Sequence, residues 1–122
     1  MAKYQNDLML DAALNYIKDN CILMVVCSSQ PTTYAEATAT YDLADVTMVT
    51  GDFTLANGDT NGRKVTVAAK NTVTIDHDGN AQHIALCSGS VLLYVTTCTA
   101  QQLYNGNTVN VPAWDIEIAD AA

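Results

Sequence analysis

Four cysteines, two histidines and thirteen acidic side chains hold whatever chemistry this 122-residue chain could perform. The cysteines are Cys21, Cys27, Cys87 and Cys98, and no two form the C-x-x-C spacing of zinc ribbons and thioredoxin-type redox sites. If residues 21–27 form one strand, Cys21 and Cys27 point to the same face about 20 Å apart. In the hairpin register given below, Cys87 and Cys98 are also about 20 Å apart along the ladder, too far for a bond. An internal disulfide would then have to join the first pair to the second. Three states stay open: small reduced hydrophobes in a core, internal bridges, or exposed thiols that crosslink neighbouring subunits outside the cell.

The remaining candidates are weaker. Asp76-His77-Asp78-Gly79 sets two carboxylates around an imidazole. A calcium loop needs six or more oxygens, including an acid further along, and that acid is missing. The segment therefore reads as a hairpin turn, as does the stretch with Asn57, Asp59 and Asn61. His83 has only His77 as a second imidazole and reads as a core or interface histidine with its hydrogen bonds satisfied. Ser88 and Ser90 lack the G-x-S-x-G context of a nucleophile elbow. For paired-acid glycoside cleavage, Glu36 and Glu117 are the only glutamates. No phosphate loop or dinucleotide fingerprint occurs. The expectation is a protein that is not an enzyme, with no catalytic, cofactor-binding or metal-ligating residue. Trp114, Tyr94 and Tyr104 are candidate interface anchors, because aromatics with a polar tip are enriched at interfaces. Core packing competes with that role and is preferred for Trp114, on the inward side of an alternating strand.

The totals narrow the class of partner. The length suits one domain spanning residues 1–122 with a sizeable core. A formal charge of −8 opposes contact with nucleic acid or anionic lipid. The five cations, Lys3, Lys18, Arg63, Lys64 and Lys70, form no basic stripe. The longest apolar run, Ile22–Val26, is far too short to span a bilayer. The first ten residues lack the basic-then-apolar pattern of a leader, and no N-x-[ST] sequon is present. The chain is expected to be made in a cytosol.

The elements follow from periodicity. Residues 6–19 read as a helix, with Asn6 or Asp7 as cap and Leu10, Ala13, Leu14 and Ile17 as its apolar stripe. Residues 21–27 form an apolar run of strand length, and residues 33–45 an irregular or short helical crossing. From Val46 onward, short strands alternate with Gly/Asn turns: RKVTVAA places Val65, Val67 and Ala69 inward, NTVTID sets Val73 and Ile75 on one face, and the last segment, TVNVPAWDIEI, alternates Trp114, Ile116 and Ile118 against Asp115 and Glu117. The central hairpin, AQHIALC-SGS-VLLYVTTC, is expected to pair Cys87 with Val91, Leu86 with Leu92, Ala85 with Leu93 and Ile84 with Tyr94. One face then carries Ala85, Leu93 and Val95, the other Ile84, Leu86, Leu92 and Tyr94, so the hairpin belongs at the centre of a sheet covered on both sides. This pattern predicts a mainly β protein: a small β-sandwich or barrel-like domain with an N-terminal α-helix (helical unit 1–20, β-rich core 21–118).

Several segments resemble small virion structural proteins of tailed bacteriophages. They are LDAALNYIKDN at 10–20, QPTTYAEA at 30–37, DFTLANGDTNGRKVTVAAK at 52–70, AQHIALCSGSVLLYVTTCT at 81–99 and VNVPAWDIEI at 109–118. The resemblance implies a component of the virion. Negative charge disfavours a DNA-facing position, and no heptad array suggests a fibre shaft. The expectation is a capsid decoration, or cement, protein that bridges major capsid subunits on the outer surface, as a homo-oligomer with a trimer favoured. The alternatives are a neck, tail or baseplate component, or a host-glycan-binding attachment module.

Overall fold

The computed structural model describes residues 6–59 and 61–118. The first five residues of the expected helical unit lie outside that range. The helix α1 spans Asp7–Asn20. Asn6 caps it, its side chain accepting from the Leu8 N–H at 2.8 Å. Leu10 and Leu14 are buried, as the spacing predicts, whereas Ala13 is exposed. At the far end the Cys21 N–H donates to the Ile17 carbonyl, and the chain turns into extended backbone.

Among the described residues nine strands follow: β1 (Leu23–Cys27), β2 (Asp42–Thr47), β3 (Phe53–Asn57), β4 (Arg63–Val67), β5 (Lys70–Thr74), β6 (Gly79–Cys87), β7 (Leu92–Leu103), β8 (Thr108–Val111) and β9 (Trp114–Ile118). They pair antiparallel in three sheets, ordered β2-β1-β6-β7, β3-β4-β9 and β5-β8. The fold is mainly β and sandwich-like, with the helix at its N-terminus. The last segment, expected as one alternating run, is two strands. Pro112, which cannot donate to a ladder, stands between them.

The main sheet is covered on both faces, for the reason its continuous apolar runs suggested. One face, with Met24, Val26, Ile84 and Leu86, joins Phe53, Val65 and Val67 of the second sheet, Val73 and Val111 of the third, and Leu14 of the helix in one large core. The other face, with Val25, Cys27, Ala85 and Cys87, packs under Tyr34, Ala37 and Tyr41. Those three residues belong to the predicted irregular crossing, which contains a π-helical turn at Glu36–Thr40. The Tyr41 N–H reaches the Glu36 carbonyl, five residues back, at 2.8 Å. The Thr38 hydroxyl donates to the Tyr34 carbonyl, the local competition through which threonine weakens a regular helix.

Three expectations are corrected. First, the central hairpin closes in a different register. The pairs are Cys87–Leu92, Leu86–Tyr94, Ala85–Val95 and Ile84–Thr96, with Leu93 unopposed in a bulge. The bulge exchanges the faces of Leu92 and Leu93: Leu92 joins the smaller core and Leu93 the larger. His83 accordingly lies opposite Thr97, not Val95. Second, Cys21 precedes the strand and packs in the large core, whereas Cys27 belongs to the small one, so the two do not share a face. Third, Ala69 is exposed and does not continue the inward row of Val65 and Val67.

Candidate functional site

Two arrangements concentrate functional groups: a cleft beside β7 and a carboxyl cluster on β2. The cleft has a volume of about 480 Å³ and lies between β7 and the β8–β9 corner. Val26, Ala81, Ile84 and Val111 from the large core form its apolar lining. Thr96, Thr97, Cys98, Thr99 and Gln101 line the β7 side. A regular strand would alternate faces and could not supply so many consecutive residues. Here three residues of β7 (98–100) oppose Gln82 alone, between the pairs Ala81–Gln101 and His83–Thr97. The irregularity breaks the alternation and bends the strand around the opening.

Across the cleft stand Asn110, Pro112, Trp114 and Asp115. The Asn110 side-chain oxygen accepts from the Thr72 N–H at 2.8 Å. Thr72 itself has φ +55°, an uncommon conformation for a β-branched residue, at the register shift between β5 and β8. The Trp114 ring stacks on Tyr94, with centroids 6.1 Å apart and planes 25° from parallel. Asp115 is already engaged, accepting from the Thr66 hydroxyl at 2.8 Å and facing the Lys64 ammonium at 3.4 Å.

The second arrangement gathers Asp42, Asp45 and Asp76, each presenting a carboxylate oxygen within 4.8 Å of the others. A bulge creates it. Leu43 is unopposed between the pairs Val26–Ala44 and Cys27–Asp42, so Asp42 and Asp45 lie opposite Cys27 and Val25 on one face despite their odd spacing. Asp76 is brought alongside by its N–H, which donates to the Leu43 carbonyl at 2.7 Å. The Asp42 Oδ1 atom is buried without a donor. Burial, then the hydrogen bond to Asp45 and repulsion from Asp45 and Asp76, pushes the Asp42 carboxyl up to about 8. Near neutral pH this group therefore carries a proton. The proton relieves the repulsion among the three carboxylates that a cation would otherwise balance.

The sequence-nominated residues fare unevenly. All four cysteines are free thiols. Cys27 and Cys87 stand four rungs apart across β1 and β6, about 13 Å along the ladder and beyond disulfide reach. Burial pushes the Cys27 thiol up to about 12 and Cys87 to about 11, and raises Cys21 as well. Cys98 alone is half-buried, on the cleft wall, its thiol also raised by burial. Thiols held protonated and enclosed are poor nucleophiles. A chromogenic thiol reagent at pH 8 is expected to modify Cys98 alone in the native protein, slowly, and all four after unfolding. Prompt modification of two or more native thiols would contradict this burial pattern.

Trp114 and Tyr94 pack against the large core while also facing each other, and Tyr104 is exposed beside the 104–107 turn. His83 is half-buried, but its Nδ1 has no partner, contrary to the expectation that its hydrogen bonds are satisfied. The 76–79 segment is not the expected hairpin turn, because β5 and β6 lie in different sheets; Asp78 Oδ1 instead accepts from the Asn105 N–H at 2.6 Å. Sequence reasoning missed the Asp42–Asp45–Asp76 cluster and the polar cleft wall. The visible signal for the wall was the run Thr96-Thr97-Cys98-Thr99 inside an otherwise apolar hairpin.

Among known protein families, curated proteins and solved structures, none matches this chain.

Proposed function

We propose that the chain is a structural component of a tailed-phage virion: a capsid decoration protein that bridges major capsid subunits on the outer surface. The segmental resemblance suggests this reading, and one structural observation supports it. Large apolar side chains remain outside a core that is otherwise complete. On the outward side of α1, Leu8 and Met9 are 76 % and 63 % exposed, and Tyr16 lies two turns beyond Met9. At one end of the main sheet Ile22, Val49 and Val91 are each at least half exposed. They gather where the Met48 N–H donates to the Ile22 carbonyl and the 88–91 turn closes beside them. Such residues contribute when covered by a partner, at about 25 cal/mol per Å² of apolar surface removed from water.

The mechanism is mechanical. Each copy, as part of a trimer at a local threefold position, makes modest contacts, and linkage among many copies makes them collectively strong. The charge of −8 asks for a receiving surface that is neutral or basic. Cys98 is the one thiol with partial access and so the one candidate for an intersubunit staple.

The test is quantitative gel analysis of purified particles with and without reductant. Copy numbers comparable to the major capsid protein are the expected result. A handful of copies would overturn the capsid reading in favour of a neck or tail position, and absence from particles would overturn the virion reading altogether. Ladders that vanish on reduction would identify Cys98 as the staple; their absence would remove that element alone.

A further inference from the structure

The cleft beside β7 is selective in its chemistry. Its volume falls within the range of small-molecule sites, about 300–1,000 Å³. Among the described residues no lysine or arginine lines it, so a phosphate, carboxylate or sulfate finds no countercharge from them. Its one acid among the described residues, Asp115, is already bonded to Thr66 and Lys64, so a cation finds little uncompensated charge there. What remains is neutral. One wall offers threonine hydroxyls and the Gln101 amide, the other Asn110 and the flat Trp114 ring, which the Tyr94 stack holds in place. Hydroxyl and amide groups both donate and accept. An aromatic face suits a ring whose hydroxyls lie at its rim and whose C–H groups lie on its faces. The apolar floor is part of the core and is formed before any ligand arrives, which limits the ordering cost of binding.

We propose that this cleft is a binding site for a neutral saccharide of one or two rings, seated against Trp114 and hydrogen-bonded by the Thr96–Gln101 stretch. The site stands on the cleft alone and does not depend on the virion reading.

The chain has one tryptophan, so its emission reports from the cleft wall itself. Maltose, lactose, mannobiose and chitobiose would be titrated into the intact protein up to about 20 mM, well above the millimolar constants of weak specific sites. Glucuronic acid serves as the anionic comparison. The expected result is a saturable change in Trp114 emission with at least one neutral disaccharide and none with the acid. Gln101→Ala should weaken that binding about tenfold, and Thr99→Arg, which places a long side chain in the opening, should abolish it. Both variants alter residues exposed on β7, and unchanged far-ultraviolet dichroism confirms that they fold. Lack of a saturable response to all four sugars would overturn the proposal. So would a response that survives both substitutions, or one stronger for the acid than for the neutral sugars.

Discussion

Replacing Phe53 with alanine is expected to cost about 3–5 kcal/mol, the range for deleting a buried phenylalanine side chain. Phe53 is the only phenylalanine in the chain and is 1 % exposed. It opens β3 in the second sheet, yet it shares one buried core with Met24, Val26 and Leu86 of the main sheet and Leu14 of the helix. The side chain thus belongs to the contact between layers, and the cavity left behind cannot close without moving two sheets. Domains of this kind are stable by about 5–15 kcal/mol in total, so the variant should unfold at a markedly lower urea midpoint with little change in slope. Val49→Ala, four residues earlier but 59 % exposed, should change stability by no more than about 0.5 kcal/mol. Comparable midpoints for the two variants would show that Phe53 does not join the layers.

Asp42→Asn is expected to stabilise the protein in alkaline solution and to flatten its pH dependence. The folded carboxyl is raised from the ordinary 3.8 to about 8, chiefly by burial and then by Asp45 and Asp76. Between those values the native state holds a proton that the unfolded chain has released. This contribution is fully present below about pH 4 and is lost as pH rises through the folded value near 8. Asparagine retains an N–H donor for Asp45 and never ionises. The difference in stability between variant and parent should therefore grow from pH 4 to pH 8 and level off beyond it. Partial exposure screens the charge, so the gain at pH 9 is about 1–3 kcal/mol, a rise of several degrees in Tm. Thermal melts across pH 4–9 check it. Parallel curves for the two proteins would mean that Asp42 is already ionised in the native state.

The bulges at Leu93 and Leu43 explain where reading the chain succeeds and fails. Alternation of apolar and polar residues is a property of consecutive residues, so Val65 and Val67, or Val73 and Ile75, are legible as inward rows. A bulge inserts one residue and reverses the alternation beyond it. At Leu93 this exchanged two leucines between cores; at Leu43 it placed Asp42 and Asp45 side by side. Neither position carries a glycine or other local marker, because the extra residue is set by what the neighbouring strand must bury. Cys21 was misplaced for a related reason: its run of apolar neighbours hides the fact that the helix end is still completing its last hydrogen bond there.

By itself the sequence determined the mainly β class, the capped N-terminal helix, the buried centre of the main sheet and the acidic charge, since each depends on composition or on spacing within one segment. The tertiary structure alone decided which sheet faces meet, that all four cysteines are free thiols, that a protonated carboxyl sits among two others, and that threonines from β7 meet Trp114 across a cleft. Those outcomes join segments distant in the chain, and they hinge on single-residue shifts in register that packing between strands sets and local pattern does not encode.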